Sequence, residues 1–391
     1  MDRNTIIQND KDYIMHTYGR LPLVPDHASG SSIWDKDGKK YIDFTSGIGV
    51  NVLGYADAGW SQAVFEQATR YQHVCNYYYC EPASALAQWL VETTGLENVF
   101  FGNSGAEANE GAIKLARKYS FDKYGEGRST IITLNKSFHG RTVTTLAATG
   151  QDVFHQYFFP FTEGFKYCDA GDLEALKAAC TEDVCAVMLE VIQGEGGVNI
   201  LSKEYVKAVS KLCDEKDILL IVDEVQTGIG RTGKAFGFQH YDILPDIVTS
   251  AKGLAGGLPI GAFISGKKAC ATLGASAHGS TFGANPVSCA AACYVTGKLT
   301  EDFLASVENK GKLIEGKILA AGLENVISVR RLGMMIGIQI KDTPKNRLLK
   351  AFDLGLLVLT AGSDVVRLLP PLNISMSELD EGISLLIEAL S

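Results

Sequence analysis

The stretch TSAKGLAGGLPIGAF, Thr249 to Phe263, holds a single charge, Lys252, among small and apolar residues. An amine in such surroundings is costly unless it is paired or gives up its proton. An amine whose pKa is lowered in this way is an activated nucleophile toward carbonyl groups. The plain alternative is a lysine that snorkels to the surface.

Several other stretches place reactive side chains where apolar runs end. ILLIVDEVQ, Ile218 to Gln226, closes on Asp223 and Glu224. Acids at a strand's carboxyl end serve as catalytic groups or metal ligands, or merely cap a turn. In NVFFGNSGAE the run gives way to Ser104, Gly105, Ala106 and Glu107 ahead of a strong helix former. Ser104 and Glu107 have capping-box spacing. The free amides of Gly105 and Ala106, with the helix dipole, could hold an anion such as a phosphate, or the stretch could be a capped helix and no more. In SFHGRT, Arg141 could clasp a carboxylate bidentately and Phe138 could stack on a flat ring. A surface arginine and a core phenylalanine are the plain readings. LEVIQGEGG sets Glu190 and Glu195 after another apolar run. HGSTFGANP, with Ser280 and Thr281, is a polar loop, and Arg367 ends the run VVRLLPP. GIGRTG, Gly228 to Gly233, spells GxGxxG, but it starts five residues past Asp223 and no long apolar helix follows. A dinucleotide loop needs both features, so the segment reads as a tight surface turn. No serine lies in a nucleophile elbow.

The elements that must position these groups alternate. Short apolar runs at 98–102, 130–134, 184–190, 218–223, 246–250 and 259–264 are separated by helical patterns, among them 203–216 with Tyr205, Val206, Val209, Leu212 and Cys213 on one face. That alternation predicts an α/β fold with a mainly parallel sheet covered on both sides, and active sites in such sheets lie at the carboxyl ends of the strands. SSIWDKDGKKYIDFT predicts a hairpin around Asp37 and Gly38. Beyond about residue 325, runs at 326–331, 334–340, 356–360 and 365–369, followed by an amphipathic helix over 375–390, predict a smaller α+β domain. The division expected is residues 1–50 as an N-terminal segment packing with the small domain, 51–295 as a large domain and 296–391 as the small one.

The chain has 391 residues, 46% of them hydrophobic, and a net charge of −9, which disfavours a nucleic-acid partner. No apolar run reaches membrane-spanning length, and the polar opening MDRNTIIQNDKDYIM lacks a signal-peptide core. Nine scattered cysteines without a CxxC cluster fit a reducing compartment and no zinc site. A cytoplasmic protein is expected.

Taken in order, WDKDGKKYIDF, NSGAEANEGAIKLARK, FHGRTVTTLAATGQ, LEVIQGEGGV, DEVQTGIGRTG, AKGLAGGLPIGA, HGSTFGANP and LLVLTAGSDVVRLLPPL resemble the class III pyridoxal-phosphate-dependent aminotransferases, nearest to their acetylornithine branch. The resemblance covers nearly the whole chain and implies a fold-type I transferase. It implies that Lys252 bonds covalently to pyridoxal 5′-phosphate, that Asp223 holds the pyridine nitrogen and that Gln226 meets the ring oxygen. Phe138 would stack on the ring, with Ser104 and Val225 in the cofactor-binding set. Gly105 and Ala106 would hold the phosphate, helped by Thr281 from the second subunit of a homodimer. Arg141 and Ser280 would contact substrate, and Glu195 with Arg367 would form a gate that opens for a dicarboxylate. The implied reaction moves an amine from N-acetylornithine to 2-oxoglutarate in arginine biosynthesis. Succinylornithine, ornithine and 4-aminobutyrate are alternative donors. A nucleotide-binding non-enzyme using GIGRTG and a catalytically silent homologue are the rival readings. Val191 stands where the family usually has proline, and Gly54-Tyr-Ala-Asp57 replaces a more usual Gly-His-x-His-Pro.

Overall fold

The run Val184–Leu189 is buried at every position, because the sheet that contains it is covered on both faces. The computed structural model describes every residue, Met1–Ser391. Three N-terminal strands, β1 (Pro25–Ser29), β2 (Ser32–Asp35) and β3 (Lys40–Asp43), form an antiparallel meander, with the expected turn between β2 and β3. Next come β4 (Asn98–Gly102), β5 (Thr130–Leu134), β6 (Phe165–Cys168) and β7 (Val184–Leu189). A two-stranded ribbon, β8 (Ile192–Gln193) with β9 (Asn199–Ile200), precedes β10 (Leu219–Asp223), β11 (Ile247–Ser250) and β12 (Gly261–Ser265).

The large sheet has seven strands in the order β4-β12-β11-β10-β7-β5-β6. All run parallel except β12, which is antiparallel to both of its neighbours. The mainly parallel sheet that the alternation predicts is therefore present, with one reversed strand. Side chains alternate between two cores. Ile131, Ala186, Met188, Leu219, Ile221, Ile247 and Phe263 pack on one face with the helix Gly105–Tyr124. Ile132, Leu134, Val187, Leu189, Leu220, Val222, Val248 and Ile264 join the main core on the other. Two covered faces explain why these strands read as unbroken apolar runs. Strand β6 does not, since its residues are mostly half-buried or exposed, and the sequence reading passed over it.

The C-terminal part contributes β13 (Val326–Leu332), β14 (Met335–Ile340), β15 (Leu356–Leu357), β16 (Leu359–Ala361) and β17 (Val365–Leu368). The single run expected at 356–360 is divided. β15 pairs parallel to β3, whereas β16 pairs antiparallel to β17. Val358 is where the chain passes from one sheet to the other, and apolar periodicity cannot register such a crossing. Through β15 the first strands of the chain and its last hundred residues share a four-stranded sheet, β1-β2-β3-β15. A second correction concerns GIGRTG. It is not a surface turn, because every residue from Gly228 to Thr232 is buried. No helix is long and apolar enough to cross a membrane.

Gly111 lies mid-helix in Gly105–Tyr124, where alanine ordinarily gains up to about 1 kcal/mol. Here a Cβ would sit 2.2 Å from Cε1 of Phe263 on β12. Overpacking of this kind costs about 1–3 kcal/mol. Gly111→Ala is therefore expected to lower the melting temperature, and a rise would show that helix and sheet are not in close contact there.

Candidate active site

Five segments that follow the carboxyl ends of β4, β5, β7, β10 and β11 meet at one edge of the large sheet. Together with Val50 and the start of β12 they line a cavity of about 440 Å³, within the size range of small-molecule and cofactor sites. Its walls include Ser104, Gly105, Ala106, Phe138, Arg141, Glu190, Asp223, Val225, Gln226 and Lys252.

Asp223 ends β10 and is 4% exposed. Its Oδ2 lies 2.8 Å from His139 Nδ1 and accepts from Asn109 Nδ2 at 2.8 Å. Its Oδ1 accepts from the Val225 amide at 3.0 Å. Asn109 also donates to the His139 carbonyl at 2.7 Å, which ties the loop after β5 to the helix after β4. His139 Nε2 is buried without a partner. Neither His139 nor Asn109 was singled out from sequence, although His139 stands between Phe138 and Arg141 and Asn109 lies one turn along from Gly105. Glu224 faces away from the cavity and binds Thr227 and the amides of Gly237 and Phe238, its carboxyl pushed up to about 7 by burial. Of the two acids that end ILLIVDE, only Asp223 looks into the site.

Lys252 forms no ion pair or hydrogen bond with protein. Burial lowers its amine below the ordinary lysine range and Arg367 adds to this, while Glu195, Asp223 and Glu190 oppose it. The residue has φ of 41°, a left-handed backbone that a lysine adopts only when its surroundings impose it. Glu190 is buried and its carboxyl is raised well above the usual range, first by burial and then by the charge of Asp223; Oε2 accepts from the Phe138 amide at 3.0 Å.

Ser104 caps the helix Gly105–Tyr124, its Oγ accepting from the Glu107 amide at 3.2 Å. The amides of Gly105 and Ala106 in the first turn have no intrahelical acceptor. A Cβ on Gly105 would lie 2.7 Å from Val225 Cγ1, so only glycine lets the helix start close on the cavity wall. This cradle of amides at a positive helix end suits a phosphate. The Phe138 ring meets Phe154 edge-on at 6.0 Å, and the exposed Arg141 guanidinium lies 4.0 Å from the Phe154 centroid and 5.5 Å from that of Phe138.

Beside the cavity Arg367, 2% exposed, donates from Nη1 to Glu195 Oε1 at 2.8 Å and to Gln226 Oε1 at 3.1 Å. Burial would raise the Glu195 carboxyl, but the charge and hydrogen bond of Arg367 outweigh it and hold it below the usual range. Gln226 thus joins this trio to the cavity. Ser280 and Thr281 lie elsewhere. Ser280 Oγ accepts from Asn103 Nδ2 at 3.1 Å, and Ser280 and Thr281 line a separate surface cavity with Tyr77 and Phe101. Within one chain Thr281 is exposed and does not reach the Gly105 cradle.

A cavity with an unpaired lysine, a fixed carboxylate and an anion cradle suits carbonyl chemistry on a phosphorylated, nitrogen-containing ring. The family model for class III aminotransferases matches residues 13–390. The protein is a class III aminotransferase. The acetylornithine aminotransferase of Haemophilus ducreyi is 53% identical, with both chains covered in full. An N-acetylornithine aminotransferase from Stenotrophomonas maltophilia is 36% identical with a TM-score of 0.84, covering 98% of each chain. The ornithine aminotransferase of Toxoplasma gondii, described with partial occupancy of PLP at its active site, is 29% identical with a TM-score of 0.94, covering 100% of this chain and 94% of its own. Class III aminotransferases use pyridoxal 5′-phosphate, and the glycine-lined amide cradle and the donor-bound Asp223 fit that group.

The electrostatics of Lys252 can be read in the cofactor-free protein by its rate of acylation against pH. The midpoint is expected below about 10.4, the unperturbed lysine value. Glu195 is the largest charge holding that midpoint up, so Glu195→Gln should move it lower still. A midpoint at or above the ordinary value, or an upward move in the variant, contradicts this arrangement.

Proposed function

We propose that this class III aminotransferase moves the terminal amine of N-acetylornithine to 2-oxoglutarate. The products are N-acetylglutamate 5-semialdehyde and glutamate, and the reaction is a step of arginine biosynthesis. The observation that carries the reading is the ion pair of the buried Arg367 with the half-buried Glu195, beside the cavity of Lys252 and Asp223. An enzyme that alternates between a mono-acid donor and a diacid acceptor needs one arginine always open and a second that can be masked. Arg141 is the open one and Arg367 the masked one. The choice of donor is supported by the names of the relatives, foremost the full-length likeness to the Haemophilus ducreyi enzyme.

Each residue then has a task. Gly105 and Ala106 bind the cofactor phosphate, with Ser104 shaping the turn and Thr281 reaching in from the partner of a homodimer. Phe138 and Val225 would flank the ring and Gln226 would bond its oxygen. Bound there, pyridoxal phosphate supplies an aldehyde that captures the amine and a ring that takes up the electrons released when a C–H bond breaks. Asp223, fixed in place by His139, Asn109 and the Val225 amide, would hold the pyridine nitrogen. Lys252 anchors the cofactor. Its Nζ, whose hold on a proton burial weakens, would be freed when the donor amine takes its place on the cofactor and would then move the proton off the carbon bearing that amine. Arg141 would clasp one carboxylate of either substrate, because a bidentate clamp reads that group whatever lies beyond it. Glu195 neutralises Arg367 while the mono-acid is bound and yields it to the second carboxylate of 2-oxoglutarate.

The large domain, residues 51–295, carries the cofactor site. The small domain, 296–391, with the N-terminal segment 1–50 packed on it, carries Arg367. The setting is the cytoplasm, with no nucleic-acid or membrane partner.

With 2-oxoglutarate as acceptor, acetylornithine should exceed succinylornithine, ornithine and 4-aminobutyrate in kcat/KM by at least about tenfold, the effect of about 1.4 kcal/mol. A panel led by ornithine or 4-aminobutyrate would reassign the donor. Glu195→Ala should alter the donor profile far more than it alters the use of 2-oxoglutarate; an unchanged profile removes the gate.

A further inference from the structure

The segment Gly228–Gly233 has no part in the binding or proton steps above, yet it sends the largest wholly buried side chain of the protein into the junction between the two ends of the chain. Arg231 is 1% exposed and meets no carboxylate. Nη1 donates to the carbonyls of Pro370 at 2.6 Å and Met334 at 3.2 Å, and Nη2 to Ser46 Oγ at 3.3 Å. Burial pushes its guanidinium down to about 9, with Asp43 opposing. A buried cation without an anionic partner is expensive, and an apolar residue of similar size would fill the space at less cost. What the cation holds in place is therefore informative.

Both carbonyls lie just outside strands at Arg367, Met334 before the start of β14 and Pro370 past the end of β17. β17 ends at Leu368, and Pro370 and Pro371 have no N–H with which to extend its ladder. The stretch beyond is hung from the N-terminal segment instead. Leu369 N donates to the Phe44 carbonyl at 2.7 Å, Ser46 Oγ to the Leu369 carbonyl at 2.6 Å, and Leu372 N to the Val52 carbonyl at 2.7 Å. Arg231 supplies the donor for Pro370, three residues past Arg367. Its other partner, Met334, directly precedes β14, which pairs with β17 so that Gly337 stands opposite Arg367. The contact extends to backbone: Met334 N donates to the Arg231 carbonyl at 3.0 Å, and a Cβ on Gly333 would lie 2.4 Å from the Thr232 carbonyl carbon. One guanidinium thus binds the carbonyl just past the end of β17, which carries Arg367, and the one just before β14, one of the two strands paired with it, from a segment five residues beyond Gln226 on the cofactor side.

We propose that Arg231 is a positioning residue: it locks the strand bearing Arg367 against the part of the protein bearing Glu195 and Gln226, so that Arg367 meets them, and the second carboxylate of 2-oxoglutarate, at a fixed reach. This rests on the assignment of Arg367 made above. The planar fork is essential, since a lysine offers one compact ammonium and cannot hold two strands in a set geometry.

The test is Arg231→Lys in the pyridoxal-phosphate-loaded enzyme. KM for 2-oxoglutarate should rise about tenfold while kcat and the KM for the amino donor stay within about threefold. A crystal structure of the variant should show Arg367 displaced from hydrogen-bond distance of Glu195 or Gln226. Ser46→Ala keeps the cation but removes the hydroxyl that Arg231 and the Leu369 carbonyl share; it should shift KM in the same direction more weakly, and it decides the matter if Arg231→Lys does not fold. Equal losses in both half-reactions, or an unmoved Arg367, overturn the proposal. Arg367→Lys separates the two readings. If it leaves the KM for 2-oxoglutarate unchanged, the assignment of Arg367 fails, and Arg231 is then judged on the crystallographic position of Arg367 alone.

Discussion

Lys252 and Asp223 line the same cavity and do not pair with one another. Opposite charges that share a poorly solvated space attract strongly, and a direct pair would leave the amine protonated and the carboxylate occupied. The fold prevents this by giving Asp223 other partners. His139, Asn109 and the Val225 amide use the faces of its carboxylate, and Lys252, left without a partner, responds to burial and to Arg367 by shedding its proton more readily. A carboxyl group held by other partners and an unpaired amine lining one cavity suit a flat, nitrogen-containing heterocycle. Most of the remaining structure serves to hold these groups apart in that relation. The parallel strands bring five segments to one edge, and the glycine at position 105 lets the helix start come near enough to supply an anion cradle.

The proposed specificity rests on a second pairing that works in the opposite sense. Arg367 and Glu195 are in contact, and in the proposed mechanism each is silent until a second carboxylate competes. That competition has meaning only if the arginine's strand is rigid with respect to the cofactor side. Arg367 comes from a C-terminal sheet, whereas Glu195 and Gln226 follow strands of the large one. The two are joined by Ser46, by the carbonyls after β17 and by the buried Arg231, which makes the position of the substrate arm a property of the junction rather than of one loop.

Much of this was legible in the chain. The strands of the large sheet could be read because both of its faces are covered and their apolar runs are continuous; the helix Lys203–Lys216 falls where its stripe predicts. Lys252 stood out because nothing near it justified a charge. The misreadings share a cause, which is partners distant in sequence. GIGRTG has the composition of a solvated turn, but Gly230 packs against Leu299, Leu304 and Leu372 and Arg231 finds its acceptors more than a hundred residues away. His139 and Asn109 acquire meaning only through Asp223, 84 and 114 residues distant. The division at Val358 is invisible because an apolar run does not say which sheet it enters. Thr281 cannot be placed by one chain alone.

Covalent trapping addresses the lysine most directly. Borohydride reduction of the pyridoxal-phosphate-loaded enzyme, followed by proteolysis and mass spectrometry, should put the added phosphopyridoxyl mass on the peptide containing Lys252 and on no other. The mass found on a different lysine, or on none, would contradict the role given to Lys252 and the arrangement of the cavity around it.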